Sequence, residues 1–274
     1  MITVNSDIIN VKHFPDGTQS IEFPTSDNII YNNDLFNRVC WFYDSDEEVF
    51  TLMCVVDWIR RNWKNARIKL FMPYLPNARM DRIKKSYQNF SLKVFSKFIN
   101  SLGFEAVDVY NVHSNVSEAL IDNIYNIEPY FQVQDTMSDY KPDVIYFPDE
   151  GACKRYADLG CIKDSELPVI FGIKKRVFST GEITGLDVIS DIDLTGKKVL
   201  IVDDICSAGG TFKFSAMKLK ELGASDVALY VTHCEDNIKN GVLLTTDLIS
   251  KIYTTDSILH IEDPKIKIIQ YFRK

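Results

Sequence analysis

The chain has 274 residues, of which 46% are hydrophobic and 25% charged, a balance typical of a globular protein with a substantial core. Its formal net charge of -7 provides no global basic field for nucleic acid, so a site for an anionic ligand has to be local. No apolar run approaches the roughly 20 residues that cross a bilayer, and the N-terminus has no signal-peptide pattern. The six dispersed cysteines lack a C-x-x-C pair, which argues against zinc and against a disulfide scaffold. We therefore expect a cytoplasmic protein with reduced thiols and with neither nucleic-acid nor membrane partners.

Short apolar runs alternate with helical patterns along the chain, which predicts a series of βαβ units. The first clear helix is predicted at residues 46–63, where Ser45 and Glu48 have the spacing of a capping box. The elements predicted after it are a buried strand, a helix and a strand, at residues 68–72, 89–101 and 106–112.

The second half repeats this alternation. Four segments that are apolar at nearly every position predict inner strands of a parallel sheet, at residues 144–149, 168–173, 198–204 and 226–233. A helix at 211–222, ended by Gly223, joins the last two. Residues 129–142 lack periodicity and mark the domain boundary. The predicted fold is therefore α/β, with two similar domains (1–138 and 139–274), each a mostly parallel sheet flanked by helices.

The strongest chemical signal is the string VLIVDDICSAGGT at residues 199–211. An apolar strand delivers Asp203 and Asp204 to its carboxyl end, and a small glycine-containing turn then leads into a helix. Backbone N–H groups of such a turn and the positive end of the helix dipole favour a bound phosphate, and ligands in open α/β sheets bind at this edge. The two aspartates could accept hydrogen bonds from ribose hydroxyls; the alternative is an ordinary turn with Asp204 in solvent. The candidate phosphate-binding residues are Ser207, Ala208, Gly209, Gly210 and Thr211.

This string resembles the phosphoribosyl diphosphate (PRPP) binding signature of type I phosphoribosyltransferases and of PRPP synthetases. Transferases usually have one such domain and synthetases two, so the first half distinguishes them. There, FMPYLPNARMDR at residues 71–82 is similar to the ATP-binding segment of the synthetases. The resemblance implies that Arg79, Asp81 and Arg82 bind ATP, and arginine suits phosphate because it makes bidentate contacts.

A second matching segment is Phe14-Pro15-Asp16-Gly17, which resembles the synthetase loop that cups adenine, usually from a neighbouring subunit. The resemblance implies that Phe14 stacks on the base, that Asp16 accepts a hydrogen bond from its amino group, and that the chain forms a homodimer or a larger homo-oligomer. Thr18 stands where this loop usually has glutamate, which removes one expected base contact.

Three further segments match in the family's order. Asn111-Val112-His113 stands where synthetases have Asp-Leu-His, which implies that His113 helps to hold a catalytic Mg²⁺. Lys174-Lys175-Arg176 matches a basic run at the base of a mobile catalytic loop, here residues 177–187, and implies that Lys174 and Arg176 are catalytic. The third segment implies a diphosphate-binding loop formed by Asp149, Glu150, Gly151 and Ala152. The resemblance also links Asp149 to the metal. Ala152 stands where the family has a second glycine.

The resemblance covers most of residues 12–258 and implies a Mg²⁺-dependent enzyme that transfers the diphosphoryl group of ATP to the 1-hydroxyl of ribose 5-phosphate and releases AMP. The turn at 207–211 departs from the family, because it reads Ser-Ala-Gly-Gly-Thr where synthetases usually have Asp-Thr-Ala-Gly-Thr or close to it. More exposed backbone would suit a phosphate that continues into a larger group, as in ADP-ribose, although neutral change in the turn is the alternative. A phosphoribosyltransferase that uses PRPP and a non-catalytic regulatory subunit also remain open.

Overall fold

The computed structural model describes residues 1–23, 36–176, 183–189, 191–270 and 272. The chain divides into two units, Met1–Glu128 and Pro129–Lys274, so the predicted boundary at 138/139 lies inside the second unit.

The segment 129–142, predicted to lack periodicity and to mark the domain boundary, begins at the observed division but contains helix α4. This helix, Tyr130–Tyr140, packs on the second unit. Its buried face includes Gln132 and Thr136 beside Val133 and Tyr140. These positions have helical spacing, but two of them are polar, and the apolar pattern in the sequence is therefore interrupted.

The first unit, unit 1, contains eight strands and three helices within its described residues. The strands are β1 (Ile2–Val4), β2 (Asp7–Ile8), β3 (Asn10–His13), β4 (Gln19–Glu22), β5 (Asn37–Trp41), β6 (Ile68–Met72), β7 (Ala106–Tyr110) and β8 (Ile124–Ile127). The helices are α1 (Glu48–Asn62), α2 (Ser91–Ser101) and α3 (Val116–Leu120). One sheet has the order β2-β1-β5-β6-β7-β8, in which β5 to β8 are parallel, while β3 and β4 form a separate hairpin.

The core of unit 1 lies on one face of its sheet. Strands β5, β6 and β7 follow one another both in the chain and in the sheet, so right-handed crossovers place α1 and α2 on the same side. Val39, Leu70 and Val107 from these strands accordingly pack in one buried cluster with Leu52 of α1 and Leu92 of α2.

The predicted capping box at the start of α1 is wrong. The side chain of Glu48 does not close the helix end; it accepts hydrogen bonds from Trp41 Nε1 and from the backbone of Asp44, both at 2.8 Å, and pairs with the terminal amine of Met1. The buried indole needs a partner for its N–H, and the glutamate provides it.

The second unit, unit 2, contains seven strands and four helices within its described residues. Its strands are β9 (Val144–Phe147), β10 (Val169–Arg176), β11 (Ile183–Ile189), β12 (Lys198–Cys206), β13 (Asp226–Cys234), β14 (Lys251–Thr255) and β15 (Ile266–Gln270). The helices after α4 are α5 (Glu150–Tyr156), α6 (Gly160–Lys163) and α7 (Gly210–Glu221). The sheet order is β11-β10-β9-β12-β13-β14-β15, and only β11 pairs antiparallel among these described strands.

Strand β12 lies at the centre of this sheet and is covered on both faces. Val199 and Ile201 pack into one core cluster, whereas Leu200 and Val202 pack into another on the opposite face. This arrangement confirms the prediction of inner strands. The prediction of a mobile loop at 177–187 is wrong in part, because residues 183–187 belong to β11. Residues 177–182 lie outside the described residues. No helix in the described part of the chain is long and apolar enough to cross a membrane.

We predict that Leu70→Ala lowers the free energy of unfolding of unit 1 by about 2–5 kcal/mol, because Leu70 is fully buried and its truncation leaves a cavity. Urea denaturation followed by tryptophan fluorescence measures this change, since all three tryptophans (Trp41, Trp58 and Trp63) lie in unit 1. The control Val94→Ala removes an exposed side chain and should change the free energy by no more than about 0.5 kcal/mol. Equal losses for the two variants would contradict this account of the core.

Candidate active site

Two adjacent carboxylates stand at the carboxyl end of β12. Because successive strand residues point to opposite faces, Asp204 lies on the side of α5 and Asp203 on the side of α7. Asp204 is only 3% exposed, so the alternative of a solvated aspartate in an ordinary turn is wrong. Its Oδ1 lies 2.9 Å from Nη1 of Arg155, one turn into α5. Burial opposes the charge of Arg155, but Asp204, Tyr156 and Asp203 together outweigh this effect and raise the pKa of the guanidinium above its usual value.

The ion pair joins the end of β12 to the loop that precedes α5. Asp149 is the N-cap of this helix, and its Oδ1 accepts a hydrogen bond from the backbone N–H of Ala152 at 3.0 Å. Ala152 is 2% exposed, so its methyl group points into the core and does not narrow the exposed side of the loop. Glu150 pairs with Lys154 on the surface, and Gly151 is exposed.

Negative charge is concentrated where the end of β12 meets the start of α5. Burial, followed by the neighbouring charge of Asp204 and more weakly that of Asp149, raises the pKa of Asp203 well above its usual range. Asp203 Oδ1 also accepts the backbone N–H of Asp204 at 2.9 Å. Carboxylates crowded in this way are favourable partners for hydroxyl donors or for a cation, which would relieve their repulsion.

The turn after β12 has the shape of a phosphate cradle at the start of the 12-residue helix α7. Gly209 has φ of +80°, and a Cβ at this position would lie 2.2 Å from Cδ1 of Leu243, so only glycine fits. At Gly210, by contrast, no atom of the described residues lies within 4 Å of where a Cβ would stand. The backbone of the turn is therefore closed on one side by Leu243 and open beside Gly210.

A segment that sequence reasoning missed lies against this turn. Residues 235–243, which follow β13, contact the turn residue by residue, and no motif in the sequence marks them. Gly241 approaches so closely that a Cβ there would stand 1.9 Å from the carbonyl oxygen of Ala208. Asn237 Nδ2 donates a hydrogen bond to Ser207 Oγ at 2.8 Å.

In unit 1 the predicted ATP segment and the His113 loop meet at the carboxyl ends of β6 and β7. Asp81 accepts hydrogen bonds at 2.8 Å from Arg82 Nε and from Ser114 Oγ. These bonds, first that of Arg82, and the proximity of His113 lower the pKa of Asp81. Arg79 is exposed on the same segment. Ser114 is a contact that the sequence motifs did not indicate.

The predicted adenine loop is the turn of the hairpin between β3 and β4. Phe14 is 55% exposed, which a stacking role requires. Asp16 accepts hydrogen bonds from the backbone N–H and the hydroxyl of Thr18, at 3.0 and 2.7 Å, and these bonds lower the pKa of Asp16. The threonine that replaces the usual glutamate therefore holds the carboxylate in place.

Comparison with known proteins gives consistent results. The family model "Phosphoribosyl transferase domain" matches residues 131–265. The ribose-phosphate pyrophosphokinase of Thermococcus kodakarensis is 27% identical over 228 residues, which is 82% of this chain and 77% of that protein. The enzyme of the same name from Nitrosomonas europaea is 26% identical, over 96% of this chain and 81% of that protein, and the one from Cereibacter sphaeroides is 30% identical, over 78% and 64%.

These matches support the ribose-phosphate pyrophosphokinase family, which is the PRPP synthetase family that the sequence motifs indicated. Among solved structures, phosphoribosylpyrophosphate synthetase from Mycobacterium smegmatis matches with a TM-score of 0.76 and 19% identity, over 96% of this chain and 85% of that one. That likeness confirms the predicted α/β fold class of two mostly parallel sheets flanked by helices.

The basic run that a ribose-phosphate pyrophosphokinase is expected to use in catalysis lies at the end of β10. In the backbone pairing with β11, Lys174 lies opposite Leu186 and Arg176 opposite Ile183. The side chains of Lys174 and Arg176 are outside the described part of the structure. Their catalytic roles therefore stay predictions.

We predict that Asp203→Asn raises the thermal midpoint of the magnesium-free, ligand-free protein at pH 7.5. The pKa of Asp203 is raised in the folded state. At a pH below the pKa of Asp203 in the unfolded chain, which is about 4, the carboxyl group is protonated in both the folded and the unfolded state and does not lower the stability of the fold. As the pH rises, the unfolded chain ionises first and the folded state is disfavoured relative to asparagine, which cannot ionise. The stabilisation should therefore shrink towards about pH 4.

Differential scanning fluorimetry across this pH range measures the effect. The control Asp191→Asn, on an exposed side chain, should leave the midpoint unchanged at every pH. A midpoint for Asp203→Asn that falls at pH 7.5 would contradict the interpretation of Asp203 as a repelled, partly buried carboxylate.

Proposed function

We propose that the chain transfers the diphosphoryl group of ATP to the 1-hydroxyl of ribose 5-phosphate, giving PRPP and AMP. The observation that carries this proposal is the buried ion pair between Asp204 and Arg155, which joins a carboxylate pair suited to a ribose to a loop suited to a diphosphate. The names of the related proteins agree with this activity.

The acceptor binds to unit 2. Its 5-phosphate occupies the turn 207–211, where backbone N–H groups, the α7 dipole and the hydroxyls of Ser207 and Thr211 donate to it. Asp203 and Asp204 accept hydrogen bonds from the ribose hydroxyls. This assignment explains why two carboxylates are kept in a site where they repel one another, because the hydroxyl donors compensate for the repulsion.

ATP binds through Phe14, Asp16, Arg79, Asp81 and Arg82, with Asp149, Glu150, Gly151 and Ala152 as the loop for the transferred diphosphate. The 1-hydroxyl oxygen attacks the β-phosphorus in line and loses its proton to solvent. The bond from the β-phosphorus to the oxygen of the α-phosphate breaks, and AMP leaves. Lys174 and Arg176 stabilise the negative charge that develops during transfer.

Mg²⁺ is the metal that we propose for this reaction. The described residues contain no cluster of three or more His, Cys, Asp or Glu side chains that could hold a metal alone. This fits Mg²⁺, which commonly binds one or two carboxylates together with substrate phosphates. In unit 2, Asp149, which lies among like charges, would hold it, and the metal-binding role that the resemblance implies for His113 of unit 1 stays a prediction. When bound, the metal neutralises charge on the ATP phosphates.

ADP-ribose is a second candidate acceptor, and the turn itself favours it. Gly210 leaves space beside the phosphate position, and Ser207 and Ala208 stand where the family usually has larger or more polar side chains. A phosphate that continues into a second nucleotide group could leave the turn on this open side. The product would be the 1-diphosphate of ADP-ribose. The homo-oligomeric state and the cytoplasmic location remain predictions.

The test is AMP release from ATP and Mg²⁺, with ribose 5-phosphate and ADP-ribose offered separately. We expect turnover with ribose 5-phosphate, and turnover with ADP-ribose if the open turn admits the extension. Lys174→Ala should lower kcat by about 100- to 1000-fold, because it removes a donor to the developing charge. The control Lys163→Ala, exposed at the end of α6, should leave kcat unchanged.

Absence of AMP with both acceptors would contradict the proposed reaction. Nucleobase-dependent consumption of PRPP would then indicate a phosphoribosyltransferase, and nucleotide binding without turnover would indicate a regulatory subunit. Equal kcat values for the two lysine variants would reject the catalytic role of Lys174.

A further inference from the structure

Residues 235–243 contact the phosphate turn in serial order. The backbone N–H of Glu235 donates to the carbonyl of Cys206 at 2.8 Å, and Asn237 donates to Ser207. The next contacts are those of Gly241 with Ala208 and of Leu243 with Gly209. Each residue from 206 to 209 is therefore met by a residue of this second segment, whose 3-10 turn is Asp236–Asn240.

The hydrogen bond between the side chains of Asn237 and Ser207 has a defined direction from donor to acceptor. Asn240 Nδ2 donates to Asn237 Oδ1 at 2.9 Å, so the amide oxygen of Asn237 faces Asn240 and its NH₂ group faces Ser207. Ser207 Oγ therefore acts as an acceptor towards Asn237. Among the described residues, no acceptor is found for the hydroxyl hydrogen of Ser207, so this hydrogen can be donated to a ligand bound at the turn.

A hydroxyl that accepts on one side donates more strongly on the other, because hydrogen bonds in a chain polarise one another. The series Asn240, Asn237, Ser207 thus presents a donor at a turn where the helix dipole of α7 also favours an anion. Asparagine is needed for this, since a carboxylate at position 237 would reverse the bond and take the hydrogen of Ser207 for itself.

We propose that Asn237 is a positioning residue that fixes the Ser207 hydroxyl as a hydrogen-bond donor to the 5-phosphate of the acceptor. Asn240 orients Asn237 for this role. The inference rests on the proposed function, because it concerns the same acceptor site, and it adds a specificity device from outside the predicted turn. A phosphate dianion or diester oxygen in the turn needs hydrogen-bond donors. The relay from Asn240 through Asn237 supplies one, because it orients the hydroxyl of Ser207, which could otherwise rotate.

The test compares Asn237→Asp, which has the same shape, with Asn237→Ala. We expect Asn237→Asp to raise the KM for ribose 5-phosphate by about tenfold or more, because it redirects the Ser207 hydrogen and adds a negative charge. Asn237→Ala should raise this KM by about threefold, because only the orientation of the hydroxyl is lost. The KM for ATP and the thermal midpoint should stay within error of the unaltered protein, as should all parameters of the control Lys239→Ala in the same turn.

A double-mutant cycle separates the relay from a merely structural role. In a Ser207→Ala background, Asn237→Ala should have no further effect on the KM for ribose 5-phosphate, since its only target has been removed. The same variants are titrated calorimetrically with ribose 5-phosphate, so that binding is measured without turnover.

If the unaltered protein binds ribose 5-phosphate and the Asn237→Asp variant binds it equally well, the relay is overturned but the proposed function is not. An Asn237→Ala effect that persists unchanged in the Ser207→Ala background would also overturn it. Unaltered protein that neither binds nor converts ribose 5-phosphate would overturn the proposed function, and the relay with it.

Discussion

The ion pair of Arg155 with the buried Asp204 is the interaction on which the proposed acceptor site depends. It connects α5 to the end of β12, so it joins the loop proposed for the diphosphate to the carboxylates proposed for the ribose. Removing one partner of such a pair typically costs about 3–5 kcal/mol, because the other charge stays buried without compensation. The pair therefore does more than stabilise the fold. It holds together the two loops to which we assign the acceptor and the diphosphate, and catalysis by positioning would require such a link.

The same region stores unfavourable interactions that a substrate would relieve. The raised pKa of Asp203 reflects burial beside like charges, and Gly209 sits in a left-handed conformation against Leu243. Sites of this kind lower stability in exchange for prepared geometry. The hydroxyls of a ribose would compensate the carboxylates, and a phosphate would satisfy the exposed N–H groups of the turn. The arrangement thus places a repelled carboxylate and a tightly packed glycine turn among the residues proposed to bind the acceptor.

Much of the fold and of the candidate site could be predicted from short stretches of the sequence. The rest could not, for physical reasons that the structure identifies. Strand β12 and the turn after it were predictable because an unbroken apolar run, two carboxylates and a glycine turn follow one another directly. Helix α4 was missed because Gln132 and Thr136 are buried and satisfied inside: Thr136 donates to the Gln132 carbonyl at 2.8 Å. The contacts of Arg155 and Asn237 join segments distant in sequence, and no local pattern encodes such a pairing. The motifs therefore predicted a candidate site, whereas the contacts that support it required the structure.

The measurement that tests the central claim most directly is phosphorus NMR of the products formed from ATP, Mg²⁺ and ribose 5-phosphate. The account predicts two coupled diphosphate resonances on a sugar that keeps its 5-phosphate, with AMP formed in equal amount. Formation of ADP with a singly phosphorylated carbon 1 would contradict it, because one phosphoryl group and not two would have moved. Unchanged substrates would contradict it as well.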